Sequence, residues 1–104
     1  MANYSAATAV HETLTASTVD QVTLTGQAVE VTVLNRTGTA EIYFTTGSAD
    51  YPPATPSVGG SNCYVMPAAI GSVTVQVPAA DISVGALLVY LISLGAESYS
   101  VEVL

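Results

Sequence analysis

Apolar and polar residues alternate with period two along much of this chain. Val29, Val31 and Val33 share one side of their segment, and Glu30 and Thr32 share the other. Ile42 and Phe44 oppose Glu41, Tyr43 and Thr45 in the same way. Val73, Val75 and Val77 oppose Ser72, Thr74 and Gln76, while Tyr99, Val101 and Val103 oppose Ser98, Ser100 and Glu102. Side chains of a β-strand point alternately to its two faces, so each run predicts a strand with one dry and one wet face. Shorter candidates cover 10–14, 19–24 and 63–66. Residues 87–94 are apolar on both faces and predict a central strand or one covered by a partner. No long window repeats at 3.6 residues, and Gly, Pro and Thr interrupt every helical candidate.

About eight short strands with no internal repeat predict an all-β single domain over residues 9–104, a β-sandwich or small jelly roll. The turns Asn35-Arg36-Thr37-Gly38 and Gly95-Ala96-Glu97 are short enough for hairpins. Two segments do not read as strands. Residues 1–8 are small and polar and predict a flexible N-terminal arm. Residues 46–62 predict a long loop, extended at Pro52-Pro53 and able to reverse at Gly59-Gly60. Loops of this length in compact domains are usually functional or disordered.

Composition sharpens this reading. Fifteen Val, thirteen Thr and six Tyr fit pleated, half-buried surfaces. Charged residues are only 9% of the chain, and Arg36 stands alone against eight carboxylates, for a net charge of −7. Such a chain repels nucleic acid and offers no polybasic patch to a membrane. Half the residues are apolar, with a mean hydropathy of +0.53, which argues against disorder. That excess also predicts apolar surface left for protein contacts, including a homo-oligomer. The longest apolar run, 86–92, is of strand length, well short of the roughly 18 residues of a membrane span. The first residues have neither the basic start nor the apolar stretch of a secretory signal. Cys63 is the single cysteine and allows no internal disulfide, so synthesis in a reducing cytoplasm is expected.

The inventory for catalysis is thin. His11 is the only histidine, and alternation places it opposite Val10, where a solvated strand histidine is the simpler reading. Cys63 lies in the apolar run Cys-Tyr-Val-Met with no cation beside it, so a buried, inert thiol is expected. One Cys and one His do not make a zinc site, and no calcium-loop pattern occurs. Asp20 and Asp50 read as solvated loop carboxylates. Gly59-Gly60-Ser61 lacks the Lys of a phosphate loop. Pro53-Ala54-Thr55-Pro56 has the PxxP spacing, but a rigid loop explains it more simply. No catalytic, metal or cofactor-binding residue is therefore expected. The tyrosines say more. Tyr43 falls on an outward face, Tyr51 precedes the diproline, and Tyr90 lies in the two-sided strand. Together with Pro52 and Pro53, they are the candidate partner contacts.

Three runs carry a resemblance: VEVTVLNRTGTAEIYFTTG, PSVGGSNCYVMPAAIGSVTVQVP and LISLGAESYSVEVL. They resemble small virion proteins of tailed bacteriophages, especially phages of actinobacterial hosts. The likeness covers most of residues 19–104 and is thinnest over 46–57 and 78–86. It implies a head-associated, capsid decoration protein that binds the outer surface of the major capsid protein shell and stabilises it. It further implies a homo-oligomer, with a trimer among the options, made in the host cytoplasm and carried on the virion. Strong negative charge suits an outward position, since packaged DNA would repel it. The alternative from another class is a glycan-binding or adhesive β-module of a fibre or tail.

Overall fold

The computed structural model describes residues 2–26, 30–48, 50–76 and 86–103. Val29, Val77 and most of the 78–86 segment lie outside these residues. The molecule is an all-β sandwich. Its described strands are β1 (Ala2–Ala6), β2 (Ala9–Thr13), β3 (Asp20–Leu24), β4 (Glu30–Asn35), β5 (Ile42–Ser48), β6 (Tyr64–Met66), β7 (Gly71–Gln76), β8 (Leu87–Ser93) and β9 (Ser98–Val103). One sheet runs in the order β1-β3-β8-β5-β6 and the other in the order β2-β9-β4-β7. All pairings are antiparallel except β1 with β3, which is parallel.

The period-two pattern places the core. Val22 and Leu24 of β3, Ile42 and Phe44 of β5, and Val89 and Leu91 of β8 are buried from one sheet. Val10, Val31, Val33, Tyr99 and Val101 meet them from the other. β8 pairs with β3 on one side and β5 on the other, the central place expected of a strand apolar on both faces.

Three expectations are corrected. The described strands number nine rather than about eight, because residues 2–6 form β1 instead of a free arm. Tyr4 and Ala6 pack against the core, which holds this segment to β3. Neither short turn makes a hairpin. β4 and β5 lie in different sheets, as do β8 and β9, so both turns carry the chain across the sandwich.

Buried polar side chains hold these two corners. The Asn35 amide donates to the Ala40 carbonyl (3.0 Å), and its Oδ1 accepts from the Gly38 N–H (2.9 Å). Glu97 is only 1% exposed. Its Oε1 accepts from the N–H groups of Thr39 and Ala40, both at 2.7 Å, and its Oε2 from the Thr39 hydroxyl at 2.7 Å. One carboxylate thus bolts the β8–β9 corner to the β4–β5 corner. Arg36 closes the same end by donating from Nη2 to the Tyr99 carbonyl at 3.0 Å.

Asp20 is also corrected. It is buried rather than solvated, and its Oδ2 accepts from the Tyr99 hydroxyl at 3.0 Å. Burial raises its pKa, and Glu12 adds to the rise, while the Tyr99 bond offsets part of it. A raised carboxyl pKa means that folding favours the protonated form. The sign therefore runs opposite to a salt bridge: stability is fully present below the ordinary value of 3.8 and lost as pH rises through the folded pKa. Asp20→Asn keeps an acceptor for Tyr99 without the buried charge. It is expected to stabilise the protein at neutral pH by about 1 kcal/mol. A denaturation series at neutral pH checks this, and a lower midpoint for the variant would refute it.

Candidate functional site

The long connection between β5 and β6 lies on the outer face of the first sheet. The sequence put its start at residue 46, but β5 continues to Ser48. The Ser48 N–H donates to the Tyr51 carbonyl (2.9 Å), and the Tyr51 N–H returns to Ser48 Oγ (3.1 Å). Thr45 Oγ1 donates to the Ala54 carbonyl at 2.6 Å. Gly47 makes this close approach possible: a Cβ there would stand 2.5 Å from the Tyr51 carbonyl oxygen and 2.6 Å from the Pro53 nitrogen. Pro53 and Pro56 are buried by the contact. Gly59, at φ +74°, supplies the left-handed residue of the reversal.

This packing sorts the candidate contact residues. Tyr43 does point away from the core, yet it is only 8% exposed, and its hydroxyl donates to Glu41 Oε1 at 2.8 Å. Pro53 is buried and Tyr90 half-buried, with Tyr90 beside Thr45 on the outer face. Tyr51, at 64% exposure, and Pro52 remain on the surface. Alternation identifies which face a residue takes. It does not reveal that a distant loop covers that face.

Exposed apolar side chains missed by the sequence reading lie on β6 and just after it, with Ile70 beside the Gly38 turn. Tyr64, Val65 and Ile70 are exposed, and Ile70 reaches 76%. Among the described strands β6 pairs only with β5, so it ends its sheet; it is short and followed by Pro67. The available signal was charge spacing: no charged residue lies between Asp50 and Asp81. In a chain with a net charge of −7, this stretch holds the long loop, β6 and β7.

Between the loop and the end of β6 is an open cleft of about 440 Å³, lined by Thr45, Thr46, Ala54, Asn62, Cys63 and Tyr64. A second hollow of about 240 Å³ adjoins it and shares Asn62 and Cys63. Cys63 is half-exposed rather than buried, and its thiol lies 3.4 Å from the Gly60 carbonyl. Tyr64 packs on Phe44 with ring centroids 5.2 Å apart, which holds its ring in place. His11 is exposed on the outer face of the other sheet, with Nδ1 2.6 Å from Ser100 Oγ. Ser100 is buried, so this pair presents no open nucleophile. Among the described residues, no group of three or more His, Cys, Asp or Glu could hold a metal ion.

In fold, the chain is similar to a carbohydrate-binding module. That module, CBM_E1 from a sugar cane soil metagenome, was solved with cellopentaose and a gadolinium ion; the superposition has a TM-score of 0.62 at 13% identity, covering 100% of this chain and 94% of that one. The pre-peptidase C-terminal domain of a Bacillus anthracis collagenase matches with a TM-score of 0.52 at 15% identity, over 100% of this chain and 95% of that one. Aeromonas hydrophila PliG, a periplasmic inhibitor of g-type lysozyme, matches with a TM-score of 0.53 at 13% identity, over 99% and 96%. No protein-family model and no curated protein sequence matches the chain. At these identities the likeness establishes the β-sandwich fold.

Proposed function

We propose that this protein is a virion structural module that docks on the outer surface of a capsid shell and stabilises it. The observation that carries the reading is the stretch between Asp50 and Asp81, which holds the edge strand β6 and no charged residue, and in which Tyr51, Tyr64, Val65 and Ile70 are exposed. Charged residues are depleted from the cores of protein interfaces and aromatics enriched. The rest of the molecule is acidic, which keeps single copies apart in solution and confines attachment to the neutral stretch. The resemblance to decoration proteins of tailed phages supplies the partner, the major capsid protein. A ligand that binds the assembled lattice and not its free subunits stabilises the lattice by linkage, and many copies add their effects. Homotypic contacts between neighbouring copies, in a trimer for example, belong to the same reading.

The test is an add-back assay on heads lacking the protein, scored by bound copies and resistance to heat. Ile70→Glu and Val65→Glu place a charge on exposed positions and should leave the fold intact. Each is expected to weaken attachment by at least about tenfold, the effect of 1.4 kcal/mol. Full attachment of both variants, or presence of the protein only in tails, would overturn the proposal.

A second reading, a glycan-binding β-module, is favoured by one observation. The cleft beside Tyr64 joins an aromatic ring to hydroxyl and amide groups, with no charge among its lining residues. The fold neighbour crystallised with cellopentaose is in keeping with it. A glycan array silent across neutral and acidic sugars would sink this reading.

A further inference from the structure

Among the described strands β1 ends its sheet and pairs with β3 alone. None of its residues is fully buried; Tyr4 and Ala6 give it partial apolar contact with the core. Two further bonds tie its far end, from the Thr25 N–H to the Ala6 carbonyl (2.9 Å) and from the Gly26 N–H to the Ala7 carbonyl (2.8 Å). A strand with so little buried apolar area opens at low cost. The register sets a carboxyl group against it. Ala2 lies opposite Asp20, and Asp20 lies opposite Leu91 of β8. Directly opposed residues point to the same face of a sheet. The Asp20 side chain therefore sits on the inner face between Ala2 and Leu91, with the Tyr99 hydroxyl reaching it from the other sheet. β1 is thus one wall of the site that keeps this carboxyl only 2% exposed.

We propose that β1 is an acid-closed latch: protonated Asp20 keeps it seated on β3, and ionised Asp20 favours its release. The reason is hydration. An ionised carboxylate is costly to bury, and lifting β1 removes a wall and admits water. The groups that face Asp20 give its charge little help. Tyr99 of β9 donates one hydrogen bond, but Glu12 of β2 adds a like charge. Tyr4 of β1 is a phenol, and burial, then Asp20 and Glu12, hold it in the neutral form. The terminal amine favours the charge, as the smallest of these influences. β8 contributes Leu91, which is apolar. Arg36 donates to the backbone carbonyls of Glu12 and Tyr99. Burial, with Glu12, outweighs the Tyr99 bond and raises the Asp20 carboxyl above its ordinary value of 3.8. The closed latch is fully favoured below that ordinary value, and the preference is lost as pH rises through the raised one. Opening leaves one edge of β3 unpaired, with backbone groups available to another strand.

The experiment is amide hydrogen exchange on the whole chain, followed by NMR between about pH 4 and about pH 7 and corrected for the intrinsic rate. The β1 amides and the Thr25 amide are expected to lose at least about tenfold in protection at the neutral end, while β4, β5 and β9 keep theirs. Asp20→Asn should hold β1 protected across the whole range. Glu12→Gln removes the like charge and should move the transition to lower pH without abolishing it. Protection of β1 that is independent of pH in wild type, or that falls equally in Asp20→Asn, would overturn the proposal. A loss shared by every strand would overturn it too, because that is global unfolding and not a latch. Should Asp20→Asn prove poorly folded, a transition unmoved in Glu12→Gln would refute the assignment to Asp20.

Discussion

Glu97→Ala is expected to destabilise the protein by about 3 kcal/mol, a fall in Tm of at least about 12 °C. The Glu97 carboxylate accepts three hydrogen bonds at 2.7 Å in a site with almost no water contact. Removing it leaves the N–H groups of Thr39 and Ala40 without their acceptor, and an unmade buried bond costs more than a made one contributes. Glu97→Gln retains one acceptor oxygen but turns an NH₂ towards these donors, so it should recover little of the loss. The pH dependence separates this from simple packing. Burial raises the Glu97 pKa, but the Thr39 hydroxyl and the N–H groups of Ala40 and Thr39 outweigh it and hold the carboxyl below its ordinary value of 4.5. A depressed carboxyl pKa contributes stability that is present above that ordinary value and lost as pH falls through the folded one. Wild type should therefore lose stability on the acid side of 4.5, and Glu97→Ala should lose less over the same range. Asp20 has the opposite sign, so the comparison is cleanest in an Asp20→Asn background. Parallel acid curves for the two proteins would show that Glu97 does not act through its charge.

Gly47→Ala is expected to lift the long loop from the outer face of the first sheet and cost about 2–3 kcal/mol. The colliding atoms are the Tyr51 carbonyl oxygen and the Pro53 backbone nitrogen, not flexible side-chain tips. Relief requires the 50–54 backbone to move, which breaks the Ser48–Tyr51 pair and the Thr45–Ala54 bond. Hydrogen exchange should show the Ser48 amide losing protection while β3 and β9 stay protected. Limited proteolysis should cut near Tyr51 in the variant before wild type. A functional consequence is tied to the same change. If attachment to a shell uses Tyr51 and Pro52 on a fixed loop, Gly47→Ala weakens it, whereas a surface limited to Val65 and Ile70 is unaffected. An unchanged stability, within about 0.5 kcal/mol, would show that the loop yields without cost.

The strands and their buried faces were legible because period two is a local property of the backbone. Val31, Val33, Phe44, Tyr99 and Val101 lie in the core, where alternation puts them. The central place of β8 followed from a run apolar on both faces. The partner of each strand was not legible. A three- or four-residue turn can close a hairpin or cross between sheets, and here both expected hairpins cross. The clue was the buried polar residue at each corner, Asn35 and Glu97, but polarity alone read as turn chemistry. Asp20 misled for the same reason: a carboxylate beside a turn looks solvated until Tyr99, 79 residues away, meets it.

By itself, the sequence determined an all-β chain with its core positions and its net negative charge. These depend on residue type and on the two-residue repeat, both written along the chain. The tertiary structure alone decided the pairing of strands, the seating of residues 2–6 as an edge strand and the laying of the long loop over Thr45 and Gly47. It also decided which apolar side chains stay outside, leaving Tyr64, Val65 and Ile70 exposed. Those outcomes turn on contacts between residues far apart in the chain, where steric fit and satisfied hydrogen bonds select among arrangements that local pattern leaves equal.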